Sequence, residues 1–124
     1  EDLGAYELDP ADDYPIYAER VSNKVSDEIK NAADTRGILL CGSGVGVDIV
    51  ANKFERIRSG LGINPEQVTA ARRDDDINVL AIAADEASES QARDMVKAFL
   101  ETKFEPSEKH TRRLKEIEDI EQEE

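Results

Sequence analysis

The sequence predicts an α/β fold in three layers, αβα, built on a Rossmann-like parallel sheet. Three observations predict it. Short apolar runs alternate with longer stretches whose apolar residues recur at helical spacing. The best run, Gly37-Ile38-Leu39-Leu40-Cys41, lacks the polar alternation of a half-exposed strand and suits one covered on both faces of a parallel sheet. A glycine-rich loop follows that run directly and leads into a helix. The 124 residues contain no repeat and no long linker, so one domain over 1–124 is expected, with its own core.

Asp12-Asp13-Tyr14-Pro15 is a helix entry, with carboxylates ahead of a proline in the first turn. Ile16, Tyr17, Val21, Val25 and Ile29 then form an apolar stripe opposite Glu19, Lys24 and Glu28. Ala32-Ala33-Asp34 closes this helix. After the 37–41 strand and its loop, a helix over 45–54 carries Val47, Ile49, Val50 and Ala51. Residues 57–61 form a weaker strand. Asn64-Pro65-Glu66 opens the next helix with a cap followed by proline. Residues 78–83 are a second clear strand. Ser88 caps a helix over 89–102, with Ala92, Met95, Val96, Phe99 and Leu100 on its apolar side. Beyond Pro106 a last helix runs from about Ser107 into an acidic end over 107–124.

Lys and Arg number 16 against 29 Asp and Glu, a net charge of -13. Such a surface repels phosphate backbones and anionic lipid, so nucleic acid and membrane partners are excluded as expectations. Solubility explains the charge, and adaptation to salt is a sharper alternative. No apolar run approaches the roughly 20 residues of a membrane helix, and no secretory leader is visible. The chain begins at Glu1 rather than methionine, which suits a processed chain or a piece of a longer product. Its single cysteine cannot form an internal disulfide, and a reducing cytoplasm is expected.

That cysteine stands at the carboxyl end of the best strand, where ligands bind in sheets of this kind. Behind it lies Gly42-Ser43-Gly44-Val45-Gly46. The glycines allow close approach of a ligand, and their N–H groups suit negative charge. The dinucleotide fingerprint needs Gly-x-Gly-x-x-Gly, and here the third glycine comes one residue early. The Walker lysine is absent, since Val47 and Asp48 follow. Nucleotide binding is therefore disfavoured, while a tight turn is the plain structural alternative. A thiol before such a loop points to chemistry. Helix N-termini lower thiol pKa values from about 8.5, so Cys41 can serve as a thiolate base, with loop amides beside it to hold a developing oxyanion.

Asp2-Leu3-Gly4-Ala5-Tyr6, Asp13-Tyr14-Pro15 with Tyr17-Ala18-Glu19, 36–46, Ala51-Asn52-Lys53, Asn78-Val79-Leu80-Ala81, Phe99-Leu100-Glu101-Thr102 and His110-Thr111-Arg112-Arg113 follow one another in an order that resembles the family of type B ribose-5-phosphate isomerases and galactose-6-phosphate isomerase subunits. The resemblance covers most of the chain. It implies a five-stranded parallel sheet, dimers whose active sites draw on both subunits, and interconversion of an aldose phosphate with its ketose partner. It implies no metal and no organic cofactor. Cys41 would move the proton between C2 and C1, matching the cysteine branch of the family, because the glutamate of the other branch is Val47 here. Ser43 would assist ring opening, the amides of Gly42, Gly44, Val45 and Gly46 would hold the enediolate, and Tyr14 would line the sugar pocket. Lys109 and Arg113, one helical turn apart, would bind the phosphate. A helix face paired with nearby glutamates is the bland alternative for these two.

Three departures shape the expectations. The family's first strand and helix precede the likeness at Asp2-Leu3-Gly4, so the sheet should show a gap unless another segment or a partner fills it. Asp74-Asp75 stand where the family has a ring-opening His-Asn pair, and Ile63 stands in place of another family histidine. Asp85 replaces a phosphate-binding arginine, and the remaining histidine, His110, is assigned a structural or phosphate-side role. The leading reading is an isomerase of pentose 5-phosphates or hexose 6-phosphates, as a homodimer or a higher oligomer. The alternatives are a half-site subunit working in a heteromer with a more complete relative, and an unrelated anion-binding module.

Overall fold

The computed structural model describes residues 1–123. Its elements are α1 (Tyr14–Lys30), β1 (Gly37–Cys41), α2 (Val45–Ala51), β2 (Ser59–Leu61), α3 (Pro65–Asp75), β3 (Val79–Ala83), α4 (Glu89–Glu101) and α5 (Glu108–Gln122). The three strands are parallel in the order β1-β3-β2. The strand period of two splits β3 between two cores. Val79 and Ala81 meet Ala18, Val25, Val47 and Ala51 of α1 and α2, while Leu80 and Ile82 meet Val68, Met95 and Phe99 of α3 and α4. Phe99 and Met95 are essentially inaccessible, and burying each such side chain contributes about 1.5–3 kcal/mol. The αβα layering predicted from the alternating pattern is thus the observed one.

The caps explain the helix starts. Asn64 accepts from the N–H of Gln67 ahead of Pro65, Ser88 and Gln91 form a reciprocal capping box, and Ser107 accepts from the N–H of His110. Boundaries move where side chains capture the backbone. α2 stops at Ala51 rather than 54, because Asn52 turns out to exchange two hydrogen bonds with Ser59. β2 begins at Ser59 rather than 57, because the N–H of Arg58 goes to the side chain of Asn78 instead of a ladder partner.

Two expectations about the sheet need correction. Among the described residues it has three strands, not the five the resemblance implies. β1 pairs only with β3, so it is an edge strand, and Leu40 is 57% exposed instead of covered on both faces. The pairing of β1, β3 and β2 is continuous. The expected gap lies outside it, as a groove of about 670 Å³ between residues 1–4 and β1.

Candidate active site

The carboxyl end of β1 gathers most of the predicted site. The Ala84 N–H donates to the Cys41 carbonyl at 2.9 Å, and the Asp85 N–H to the Gly42 carbonyl at 3.0 Å. The backbone that carries the thiol is therefore laced to the turn after β3, and the Cys41 side chain stays partly accessible. Gly44 takes φ +74°, and a Cβ there would lie 2.6 Å from Leu61 Cδ1 and 2.9 Å from the Ala83 nitrogen. Glycine is required here by conformation and by space together. A Cβ on Gly46 would lie 2.5 Å from Cζ of Tyr14, so the half-exposed tyrosine rests on the loop. The Ser43 hydroxyl accepts from the Val45 N–H at 3.3 Å. Cys41, Gly42, Ser43, Gly44, Val45, Gly46 and Tyr14 thus form one surface.

Residues that sequence reasoning did not single out hold this surface in place. Ser59 Oγ donates to Asp48 Oδ1, its N–H donates to Asn52 Oδ1 at 2.9 Å, and its carbonyl accepts from Asn52 Nδ2 at 3.0 Å. Both acceptors ride on or just after α2, so the helix behind the loop is fixed to the edge of β2. Buried Asn78 bridges two backbone groups, donating to the Arg56 carbonyl and accepting from the Arg58 N–H. The polar Asn52 and Asn78 flanking apolar runs were the signal in sequence, but their partners are distant along the chain.

The predicted phosphate cations lie elsewhere. The N-terminal turn of α5 docks on the C-terminal end of α3, where the Glu105 N–H donates to the Arg73 carbonyl at 3.0 Å. The remainder of α5 passes the end of α1 and residues 55–58 ahead of β2. All of these mark the amino ends of the strands, opposite Cys41. Lys109 and Arg113 are exposed there, and neither forms an ion pair among the described residues, although their neighbours Arg112 and Lys115 pair with Glu116 and Asp119. One chain therefore brings the thiol and its loop together but does not bring the two cations to them.

Asp74 and His110 belong to this second end. The Arg73 guanidinium, by its hydrogen bond and its charge, holds the Asp74 carboxyl below the usual carboxylate range against the opposing effect of desolvation, with lesser help from His110 and Lys109. His110 is 9% exposed. Its Nδ1 lies 2.8 Å from the Glu105 carbonyl, which can only accept, so that nitrogen carries a proton. Its Nε2 lies 3.4 Å from Asp74 Oδ1. The histidine thus contacts the Glu105 carbonyl ahead of α5 and Asp74 at the end of α3. Asp74 is a lowered carboxylate with a cationic partner, the opposite of the raised acid that ring opening would need.

At the thiol end, a partly accessible thiol stands beside the backbone of a glycine loop, the pairing of a base with amide donors that proton transfer beside a carbonyl calls for. Among the described residues, no group of three or more His, Cys, Asp or Glu side chains is placed to hold a metal ion, and no helix is long and apolar enough to cross a membrane.

Known proteins share this frame. A family profile described as Ribose/Galactose Isomerase matches residues 1–117. A probable ribose-5-phosphate isomerase B of Mycoplasma genitalium is 37% identical over 116 residues, 94% of this chain and 74% of the relative. Ribose-5-phosphate isomerase B of Escherichia coli is 36% identical, over 89% of this chain and 70% of that protein. The crystal structure of the Mycoplasma genitalium isomerase with bound ribulose-5-phosphate superposes with a TM-score of 0.91 at 36% identity, covering 99% of this chain and 78% of the other. The matched span takes in the Cys41 loop, all three strands and the cations of α5, so the chain belongs to the ribose/galactose isomerase family.

Proposed function

We propose that this chain interconverts an aldose phosphate and its ketose partner, with a pentose 5-phosphate as the first substrate to test and hexose 6-phosphates as the second. The observation that carries the proposal is the thiol of Cys41 at the strand end, beside the glycine loop, in a chain of this family. The Cys41 thiolate takes the C2 proton of the open-chain aldose, leaving an enediolate whose oxygens face the amides of Gly42, Gly44, Val45 and Gly46. The same thiol returns the proton to C1. Ser43 passes a proton between the two sugar oxygens, so the carbonyl moves from C1 to C2 without redox partner or cofactor. Tyr14 lines the sugar pocket. Residues 1–124 act as one domain, in a reducing cytoplasm that keeps the thiol free.

Lys109 and Arg113 supply the phosphate site from a partner copy, because within one chain they stand at the far end of the sheet. A dimer with shared sites follows. The same distance also favours the second reading, in which the partner is a related but different subunit and this chain is one half of a heteromer.

The test is turnover of pentose 5-phosphates and hexose 6-phosphates by the purified chain, alone and with candidate related subunits. Cys41→Ala should lower kcat by about 100-fold or more; undiminished turnover would remove the thiol from the mechanism. Mixing Cys41→Ala with the double variant Lys109→Ala/Arg113→Ala should restore about a quarter of wild-type activity if sites are shared across a twofold dimer. Absence of restoration would argue against a shared site. Turnover only in the presence of a related subunit would establish the heteromer.

A further inference from the structure

The two ends of the sheet differ in charge. None of the 16 lysines and arginines falls in residues 10–18, 41–52, 61–71 or 83–92, the stretches that build the carboxyl end around the thiol loop. The charged side chains of these stretches are all carboxylates. Asp13, Glu66, Asp85 and Glu86 are exposed there, and among the described residues none of the four forms an ion pair. Asp85 borders the loop itself: its N–H is bonded to the Gly42 carbonyl, and a Cβ on Gly42 would meet its Oδ2 at 2.7 Å. The same end carries an open apolar strip. Val45 and Ile49, one turn apart on α2, are 45% and 55% exposed, next to the Tyr14 ring that rests on Gly46.

α5 presents the complement. With 3.6 residues per turn, Lys109, Arg113, Ile117 and Ile120 fall within about 80° of one another around its axis, in a stripe about 16 Å long. Buried His110 and partly buried Leu114 turn to the body instead. Lys109 and Arg113 are exposed and without an ion pair among the described residues, and Ile117 and Ile120 are 47% and 62% exposed. Cations followed by apolar side chains on α5 thus match carboxylates followed by apolar side chains at the thiol end. Within one chain these two faces stand at opposite ends of the sheet and cannot meet. A second copy offers both again, and a twofold pair satisfies each of them twice and closes. We propose that Asp85 of one copy pairs with Arg113 of a second copy, with Glu86 and Lys109 beside them, and that Ile117 and Ile120 of that second copy cover Val45 and Ile49. The inference rests on the proposed shared site, to which it brings the α5 cations, but the association is measured without substrate.

Sedimentation velocity over a dilution series measures the dimer dissociation constant of the full chain and its variants at constant ionic strength. Asp85→Arg and Arg113→Asp should each raise that constant at least about tenfold, and the double swap Asp85→Arg/Arg113→Asp should return it to within about threefold of the wild type. Asp85→Arg by itself makes the chain less acidic and eases repulsion between copies, so a weaker dimer traces to the local pair. The double swap keeps the net charge of -13, so its recovery owes nothing to overall charge. Ile49→Asp and Ile120→Asp should each weaken the dimer at least about tenfold as well. A wild type that stays monomeric at its highest soluble concentration would overturn the proposal. So would a dimer indifferent to Asp85→Arg, a double swap without recovery, or a dimer that survives both isoleucine variants. Should Asp85→Arg not fold, judged by circular dichroism, Asp85→Lys takes its place in both the single and the double variant. A chain that dimerises with this signature yet turns over no sugar phosphate refutes only the isomerase reading, and an active chain without the signature refutes only the interface.

Discussion

Replacing Gly44 with alanine is expected to destabilise the fold sharply, whereas the same change two residues earlier should not. At φ +74° an alanine pays the left-handed conformation, about 1–2 kcal/mol. Its Cβ would also stand 2.9 Å from the Ala83 nitrogen and 3.0 Å from the Ile82 carbonyl carbon. Those atoms belong to β3, the middle strand, and cannot retreat without shifting both neighbours. Overpacking of that kind costs about 1–3 kcal/mol, so the total is about 2–5 kcal/mol. At Gly42 the nearest atom is the free end of the Asp85 side chain, which can swing into solvent, and the cost should stay below about 1 kcal/mol. Urea unfolding measures both. With a slope typical of a small domain, Gly44→Ala should lower the midpoint by about 1–3 M and leave the slope unchanged. Equal midpoints for the two variants would refute the argument that β3 fixes the loop.

Arg72→Met should cost about 3–5 kcal/mol in the same assay, because the buried guanidinium satisfies the carbonyls of Thr102 and Ile77 and pairs with Asp76. The lowered carboxyl of Asp74 contributes stability that is fully present above about pH 5 and lost as pH falls through and below about 4. Asp74→Asn should therefore flatten the acid limb of stability measured between pH 3 and 6, and an unchanged limb would exclude that linkage. Cys41→Ala should lower turnover of a pentose 5-phosphate by about 100-fold or more without moving the urea midpoint by more than about 0.5 M, and undiminished turnover would remove the thiol from the proposed mechanism.

Much of this fold is local in origin and was legible along the chain. Cap residues at Asn64, Ser88 and Ser107 start helices through bonds spanning three residues. The 37–41 run is a strand with its predicted bounds. The glycine loop and its thiol could be recognised because their chemistry is contiguous. What escaped the sequence depends on partners far along the chain. Arg72 sits in a run of charges that looks like a solvated face, yet it is 2% exposed, because α3 ends against the carbonyls at the end of α4. Leu40 belongs to an apolar run but lies exposed, because β1 pairs on one side only.

The sequence by itself determined the αβα layering and the family, since each rests on periodicity or on motifs contiguous in the chain. Only the tertiary structure decided where the two halves of the site stand. Cys41 lies at the carboxyl ends of the strands and Lys109 and Arg113 at their amino ends, because α5 follows α4 and must leave from the end of the sheet where α4 arrives. That placement, invisible in a list of motifs, separates the thiol from Lys109 and Arg113 within one chain.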